Sequence, residues 1–240
     1  PWLEKRGTNV LARFGYIAEG LYESEEEIKE RNITQFGETY PGQLVKPGDI
    51  KYKDLNGDGH IDEYDMCKIG RGDVPKYYYG FGGDFRYKNI GVGILFQGTA
   101  GADRVMEGSG IRPFTSSTGG GTLYANITDR WSKDDPSNDN VFYPRLAWSS
   151  ADPSNINNFQ TSTWWQKDMS FLRLKQFTVS YYFPKAWTKK SFLSGGRFYI
   201  MGSNVLTFSK FKLWDPELNT NNGISYPNVS SYTIGVAINL

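Results

Sequence analysis

The stretch "YYYGFGGDFRYKNIGVGILFQG", residues 77–98, consists of two runs of alternating residues separated by Lys88 and Asn89. In the first run the large side chains share one parity: Tyr77, Tyr79, Phe81, Phe85 and Tyr87. In the second run they are Ile90, Val92, Ile94 and Phe96, and the positions between them hold mostly glycine and polar residues. A period of two is that of a β-strand, whose successive side chains point to opposite faces. The stretch therefore predicts an antiparallel hairpin that turns at residues 88–89.

Three further segments are predicted strands: residues 171–183 and 229–240, which place apolar side chains at alternate positions, and residues 197–208, which alternate only weakly. In the first of them the apolar parity changes between Leu174 and Phe177. This change predicts either a β-bulge or that Arg173 and Lys175 stand above the apolar zone. Residues 9–20 alternate more weakly and are interpreted as a sixth strand, so that the chain is expected to be all-β.

The composition of this 240-residue chain excludes several classes of protein. With 27 basic and 26 acidic residues the net charge is +1, so we expect no nucleic-acid surface. The single cysteine, Cys67, allows neither a disulfide framework nor a zinc cluster, and one histidine makes a Ser-His-Asp triad difficult to build. No convergent acid, base and nucleophile can be named, so the chain is not expected to be an enzyme. No apolar run approaches the roughly 18 residues of a membrane-spanning helix.

The connections between the predicted strands alternate between long and short. Residues 21–76 and 100–169 are long, whereas residues 88–89 and 184–196 are short and residues 209–228 are of middling length. This alternation is typical of an up-and-down outer-membrane β-barrel, in which long loops lie outside and short turns face the periplasm. We therefore predict that both long connections are extracellular and that the last strand runs inward.

A secreted β-sandwich module that binds calcium and a glycan or protein is the alternative, because its strands also alternate apolar and polar residues. Such a sandwich would not usually need connections this long. Six strands cannot close a barrel, for which about eight are the working minimum, so we expect a segment of a larger antiparallel transmembrane barrel. The start of the chain, "PWLEKRG", has no charged n-region followed by an apolar h-region, so no secretory signal is expected there.

The segment "KDLNGDGHIDEYD", residues 53–65, has the spacing of a calcium-binding EF-hand loop. Its oxygen-bearing side chains are Asp54, Asn56, Asp58, Asp62 and Asp65, and His60 is expected to offer its backbone carbonyl. We predict a structural Ca²⁺ ion that organises residues 21–76, because a connection of that length has little core of its own. The alternative is an Asx-rich turn that holds no ion.

Three tryptophans of the second long connection, Trp148, Trp164 and Trp165, are candidates for contact with a ligand or a partner protein. Their rings could stack on sugars or face a partner. The alternative is that they pack the loop or lie in the aromatic belt at the membrane interface.

Six blocks follow one another in the sequence: "GYIAEGLYESEEEI", "PGDIKYKDLNGDGHIDEYD", "PKYYYGFGGDFRYKNIGVGILFQG", "FLRLKQFTVSYYFPK", "GSNVLTFSKFKLWDPE" and the terminal "YTIGVAINL". In this order they resemble the C-terminal quarter of the SusC/RagA-type TonB-dependent outer-membrane transporters of Bacteroidetes. The resemblance extends from about residue 10 to the end. The terminal Leu240 is a departure, because such barrels usually end on an aromatic residue.

The resemblance implies a barrel of about 22 strands, surrounded by the lipids of a Gram-negative outer membrane. It implies an active importer energised by the TonB complex through an N-terminal part, including a plug, that is absent from this sequence. It further implies a SusD-like surface lipoprotein seated on the long loops, and a glycan or a peptide as the substrate.

Overall fold

The computed structural model describes residues 4–37, 45–108, 110–114, 125–148, 152–189 and 192–239, so that Leu240 lies outside the described residues. The strands within these ranges are β1 (Arg13–Gly15), β2 (Ala18–Leu21), β3 (Thr34–Gln35), β4 (Ile50–Tyr52), β5 (His60–Ile61), β6 (Cys67–Ile69), β7 (Tyr77–Tyr87), β8 (Ile90–Ala100), β9 (Asp103–Val105), β10 (Gln166–Asp168), β11 (Phe171–Tyr182), β12 (Gly195–Ser209) and β13 (Ser231–Asn239). The helices are α1 (Glu25–Arg31), α2 (Pro153–Asn158) and α3 (Lys185–Thr188), with 3₁₀ turns at Glu63–Asp65 and Ala125–Thr128. None of these helices has the length and apolar character needed to cross a membrane.

The chain divides into two compact units. The sheet unit comprises Val74–Ala102, Asp168–Asn219 and Ser225–Leu240. The loop unit comprises Pro1–Asp73, Asp103–Lys167 and Thr220–Ile224, and therefore combines most of both long connections.

The sheet unit contains one five-stranded antiparallel sheet in the order β13-β12-β11-β8-β7. The hairpin expected from residues 77–98 is confirmed, since β7 and β8 pair from Tyr77 to Ala100 and turn at residues 88–89. Lys88 takes a left-handed conformation with φ of 53°, as such a tight turn requires. The rings of Phe81 and Phe96 lie opposite each other and stack with centroids 5.2 Å apart.

The two faces of this sheet differ in chemistry. Because directly opposed residues share a face, the ladder assembles the apolar parities of all five strands on one side. That side is largely exposed, and its members include Phe81, Phe85, Val92, Ile94, Val179, Ile200, Ile234 and Val236, with Phe96 half-buried. The other side carries mainly glycine, hydroxyl, amide and charged side chains, together with the apolar Leu95 and Met201. A strongly apolar exposed face opposite a polar one is the pattern of a transmembrane barrel wall and the reverse of a sandwich, which buries its apolar face.

Glycines in this sheet leave room for aromatic rings on the neighbouring strand. Tyr79 lies opposite Gly98, and a Cβ atom at Gly98 would come within 2.5 Å of the tyrosine ring. Phe177 covers Gly202 in the same way, at 2.2 Å from the position of a Cβ atom. The pairing explains why this chain combines many aromatic residues with many glycines.

The change of parity near Leu174 is a β-bulge, as one of the two alternatives predicted. The register of β11 shifts between Leu174 and Gln176 against both of its neighbours. Arg173 is only 2% exposed and lies on the polar face opposite Gln97, so it does not stand above an apolar zone. Because of the bulge, Leu174 before Lys175 and Phe177 after it lie on the same apolar face of the sheet.

The interpretation of residues 9–20 as one sixth strand is wrong. This segment forms the short strands β1 and β2, which pair with β6 and β4 in the loop unit rather than with the five-stranded sheet. Its weak alternation reflects burial against a small local core, since Tyr16 and Leu21 are 7% and 2% exposed.

The loop unit has a core of its own, contrary to our expectation for residues 21–76. Three rings meet at its centre, with centroid distances of 5.1 Å between Tyr16 and Phe36 and 5.6 Å between Phe36 and Tyr52. Ile50 and Ile61 are buried in the same cluster. Trp131, from the second long connection, belongs to this cluster, so each connection supplies apolar surface that the other lacks.

Helix α1 is held at both ends by its own sequence. Ser24 is the N-cap and accepts a hydrogen bond from the backbone N–H of Glu27, and Asn32 ends the helix in a left-handed conformation. Glu27 also forms an ion pair with Lys51 at 2.6 Å. The helix is thereby attached to β4, although none of its residues is buried.

Candidate functional site

The polar face of the sheet is the first candidate site, because it gathers hydrogen-bonding side chains from neighbouring strands. A recess in this face is lined by Gly82, Gly83, Asp84, Gly93, Ile94, Leu95, Gln176 and Thr178. The three glycines bring no side chain into it, so the recess presents a carboxylate, an amide and a hydroxyl close to the strand backbones. Such a surface can hydrogen-bond a polar solute.

Arg173 attaches the connection between β12 and β13 to this polar face. Its Nη1 atom lies 2.8 Å from the carboxylate of Glu217, and its Nη2 atom donates to Asp215. Asn228 donates a further hydrogen bond of 3.1 Å to Glu217. A buried guanidinium is stabilised only when carboxylates compensate its charge, so these contacts place residues 215–217 against the strand. Sequence reasoning missed them, because nothing in the local pattern links residue 173 to a loop some 40 positions later.

A buried ion pair joins the two long connections within the loop unit. Asp49 is fully buried and accepts hydrogen bonds from Arg145 Nε at 3.1 Å and from the Asn158 amide at 2.8 Å. The backbone N–H of Lys46 donates a third, at 2.9 Å. Burial raises the pKa of the Asp49 carboxyl, and the guanidinium of Arg145 acts against that rise.

Besides its pairing with β2, strand β4 has backbone groups that hydrogen-bond to side-chain amides. Gln35 donates to the Ile50 carbonyl at 2.9 Å and accepts from the Tyr52 N–H at 2.8 Å. Asn158 accepts from the Ile50 N–H at 3.0 Å, and Asn157 is hydrogen-bonded to Gln35 at 2.7 Å. Gln35, Asn157 and Asn158 are at most 1% exposed, so each bond is protected from water.

The calcium-type loop is closed by its own hydrogen bonds in this structure. Asp54 accepts from the backbone N–H groups of Gly57 at 2.6 Å and Gly59 at 2.9 Å. Asp58 accepts from the Asn56 amide at 2.7 Å and from the backbone N–H of the exposed His60 at 2.9 Å. Gly57 and Gly59 both have positive φ, which allows the sharp turn that such a loop needs.

The two later acids of the motif serve a neighbouring turn. Asp62 is the N-cap of the 3₁₀ turn Glu63–Asp65, and Asp65 completes a capping box with it. Asp65 is fully buried and also accepts from the Leu55 N–H at 2.7 Å. Across the described ranges, no three acidic, histidine or cysteine side chains converge as metal ligands would. Asn56 and the His60 carbonyl would have to supply further ligands, and occupation by Ca²⁺ stays a prediction.

The three tryptophans have different environments. Trp165 is 2% exposed, donates its indole N–H to the Asn158 carbonyl at 2.7 Å and stacks on Phe159, so it packs the loop, as the alternative predicted. Trp164 is half-buried and donates to the Phe142 carbonyl at 3.2 Å. Trp148 is 68% exposed, with its ring 5.2 Å from that of Phe114, and remains a candidate for a ligand or partner contact.

Comparison with known proteins yields relatives of one kind. No family model matches the chain. TonB-dependent receptor P3 of Formosa agariphila is 30% identical over 250 residues, which cover 97% of this chain and 22% of the relative. TonB-dependent receptor SusC of Bacteroides thetaiotaomicron is 23% identical, over 97% of this chain and 21% of the relative. The chain thus spans about a fifth of the length of the curated relatives it matches.

Solved structures share the fold. The RagAB peptide importer in its "open-open" state matches with a TM-score of 0.64 at 21% identity, over 95% of this chain and 22% of that chain. The "closed-closed" state matches with a TM-score of 0.62 at 22% identity, over 95% and 23% of the two chains.

Proposed function

We propose, from the premise that this chain belongs to the SusC/RagA type of TonB-dependent receptor, that it forms part of the wall of an outer-membrane active importer. The observation that carries the proposal is the five-stranded sheet with one exposed apolar face and one polar face. Its apolar face meets lipid, and its polar face meets the path of the solute. The outermost strands β7 and β13 have free edges among the described residues, and strands from the rest of the protein continue the sheet.

The proposed orientation places the loop unit outside the cell. Residues 21–76 and 100–169 are then extracellular, and the turn at residues 88–89 faces the periplasm. This chain is the C-terminal part of the barrel, and the TonB complex acts through the N-terminal part of the protein. The family supports these assignments, since its named members are TonB-dependent receptors.

The proposed substrate is a glycan or a peptide, delivered with a SusD-like surface lipoprotein that docks on the loop unit. The likeness to SusC and to a RagAB peptide importer supports this pairing. The exposed ring of Trp148 is the residue of the loop unit that we assign to contact with partner or substrate. One Ca²⁺ ion, held by the side chains of residues 54–65, organises the outer surface of the same unit.

The proposal is tested by asking which face of the sheet meets lipid. In the full-length protein with Cys67→Ala, the neighbours Thr178→Cys and Val179→Cys place a thiol on the polar and on the apolar face of β11. In membranes, a water-soluble maleimide should label position 178, whereas a lipid-confined maleimide should label position 179. The paired variants control for strand depth, because they differ by one residue.

A sandwich would give a different result. Position 179 would then be packed against a second sheet and resist both reagents, and the protein would be soluble without detergent. Either outcome would refute the barrel wall. Uptake of the cognate solute that persists after removal of TonB would refute active import while leaving the wall intact.

A further inference from the structure

A row of arginine and tyrosine side chains crosses the polar face of the sheet at the end where the chain makes its short connections. Arg86 lies two residues before the turn at residues 88–89, and Tyr182 is the last residue of β11. Arg197, near the start of β12, lies directly opposite Tyr182. These residues and Tyr199 form what we call the arginine–tyrosine row.

Each guanidinium of the row contacts an aromatic ring. The guanidinium carbon of Arg86 is 3.8 Å from the Tyr182 ring centroid. That of Arg197 is 6.0 Å from the same centroid and 5.4 Å from that of Tyr199. A guanidinium whose flat face lies over a ring keeps the N–H groups at its edge available for hydrogen bonds. That edge matches the two oxygens of a carboxylate.

Two glycines allow the row to form. A Cβ atom at Gly91, which lies opposite Arg86, would come within 2.9 Å of the Tyr182 ring. A Cβ atom at Gly235 would come within 2.4 Å of the Tyr199 ring. Both rings therefore occupy space above strand positions that carry no side chain, beside the two guanidinium groups.

The row lacks a compensating negative charge. Within the part of the chain that the structure describes, neither Arg86 nor Arg197 forms an ion pair, whereas Arg173 on the same face has two. Asp84 is the one acidic residue in the five strands, and its carboxylate lies over Gly93, 2.5 Å from the position of a Cβ atom there. Two cations held around one ring repel each other unless an anion lies between or beside them.

We propose that the row binds carboxylate side chains supplied by the part of the same polypeptide that lies outside this chain. The strands β7 and β13 each have a free edge among the described residues, and the chain matches only between 21% and 23% of the length of its relatives. For a protein of the length of these relatives, the sequence outside this chain is the nearest large source of acidic groups on the polar side of the sheet. The row fixes such a segment at the short-turn end. This inference rests on the proposed barrel.

Zero-length cross-linking of the full-length protein tests the inference. Arg86→Lys and Arg197→Lys each place an amine in the row, and a carbodiimide joins an amine to a carboxylate only when the two are in contact. Mass spectrometry of the digested, detergent-purified protein then identifies the carboxylate. Arg173→Lys is the positive control, because its amine should couple to Asp215 or Glu217. Arg86→Gln is the negative control, since it offers no amine at that position.

We expect position 86 or 197 to couple to an acidic residue outside the 240 residues of this chain, and the product to be lost in Arg86→Gln. Coupling only to Asp84, to a separate protein or to a co-purified acidic solute would overturn the inference. Absence of any product at either position, while the Arg173→Lys control couples, would overturn it as well. A protein that purifies without detergent would instead refute the proposed function on which the inference rests.

Discussion

The sheet unit and the loop unit acquire their structures by different means. In the sheet, the backbones of β8, β11 and β12 pair with a neighbour on each side in a ladder that is regular apart from the bulge near Lys175, and a repeat of two residues decides which side chains face which side. In the loop unit the strands have two to four residues, and side chains such as Gln35 and Asn158 complete the hydrogen bonding of the backbone. The sheet therefore tolerates many sequences with the same alternation, whereas the loop unit depends on particular residues.

The largest expected effect of a single substitution is in the loop unit. Arg145→Met removes the only cation beside the fully buried Asp49 among the described residues. Leaving one member of a buried ion pair alone costs about 3–5 kcal/mol. Hydrogen exchange of the Ile50 amide in the full-length protein should accelerate by about 10²-fold to 4 × 10³-fold, since each 1.4 kcal/mol is tenfold. Unchanged exchange there would show that the pair contributes nothing to the unit.

The pH dependence of hydrogen exchange in Arg145→Met tests whether the effect comes from the charge of Asp49. Burial raises the folded-state pKa of Asp49, and without Arg145 that pKa rises further. An acid whose pKa is higher in the folded state favours folding at low pH, and this contribution is lost as the pH rises through the folded pKa. Protection of Ile50 in Arg145→Met should thus recover as the pH falls toward the ordinary carboxyl value of about 3.9. Asp49→Asn combined with Arg145→Met should abolish that recovery.

The next largest effect is expected in the sheet, where the cost of a new charge depends on which face carries it. Ile200→Arg places a charge in the apolar face, at a cost of about 2–4 kcal/mol near the bilayer midplane. Met201→Arg places the same charge one residue along β12, on the polar face opposite Thr178. The first variant should lower the amount of folded protein in the outer-membrane fraction, and the second should not. Equal loss in both variants would contradict a wall with one lipid face.

The comparison also explains what could be predicted from the sequence. The hairpin of residues 77–98 and the bulge near Leu174 follow from the period of two, because that signal lies within each strand. The contact of Gln35 with Asn157 spans 122 positions and leaves no local pattern. The sequence leaves two alternatives open for Trp165 for a related reason: an indole that packs inward has the same sequence signal as one that binds a ligand.

A smaller effect should follow from removing one of these amides. Gln35→Leu leaves the buried Tyr52 N–H without its side-chain partner, while the Ile50 carbonyl keeps the Asn157 amide as a donor, so the expected cost is about 1–3 kcal/mol. The Tyr52 amide should exchange faster by about 5–150-fold, by the same conversion. The amide of Phe177 in the sheet serves as the internal reference and should not change. Acceleration at both amides would mean that the two units unfold together.

The smallest expected effect is that of calcium on residues 54–65, because the loop already closes through its own hydrogen bonds. If the loop binds one ion, free Ca²⁺ at ten times its dissociation constant should stabilise the loop unit by about 1.4 kcal/mol. The measurement is protease cleavage within residues 50–70 of the full-length protein, with and without chelator, while the sheet remains intact.

Asp58→Ala should remove the dependence on calcium, since Asp58 is exposed and its loss leaves the core unchanged. Asp134→Ala, in another exposed acidic segment, is the matched control and should leave it unaltered. Cleavage that is indifferent to chelator in the unmodified protein would identify the segment as an Asx-rich turn. The acids would then stabilise the loop through backbone hydrogen bonds alone, as Asp54 and Asp65 already do.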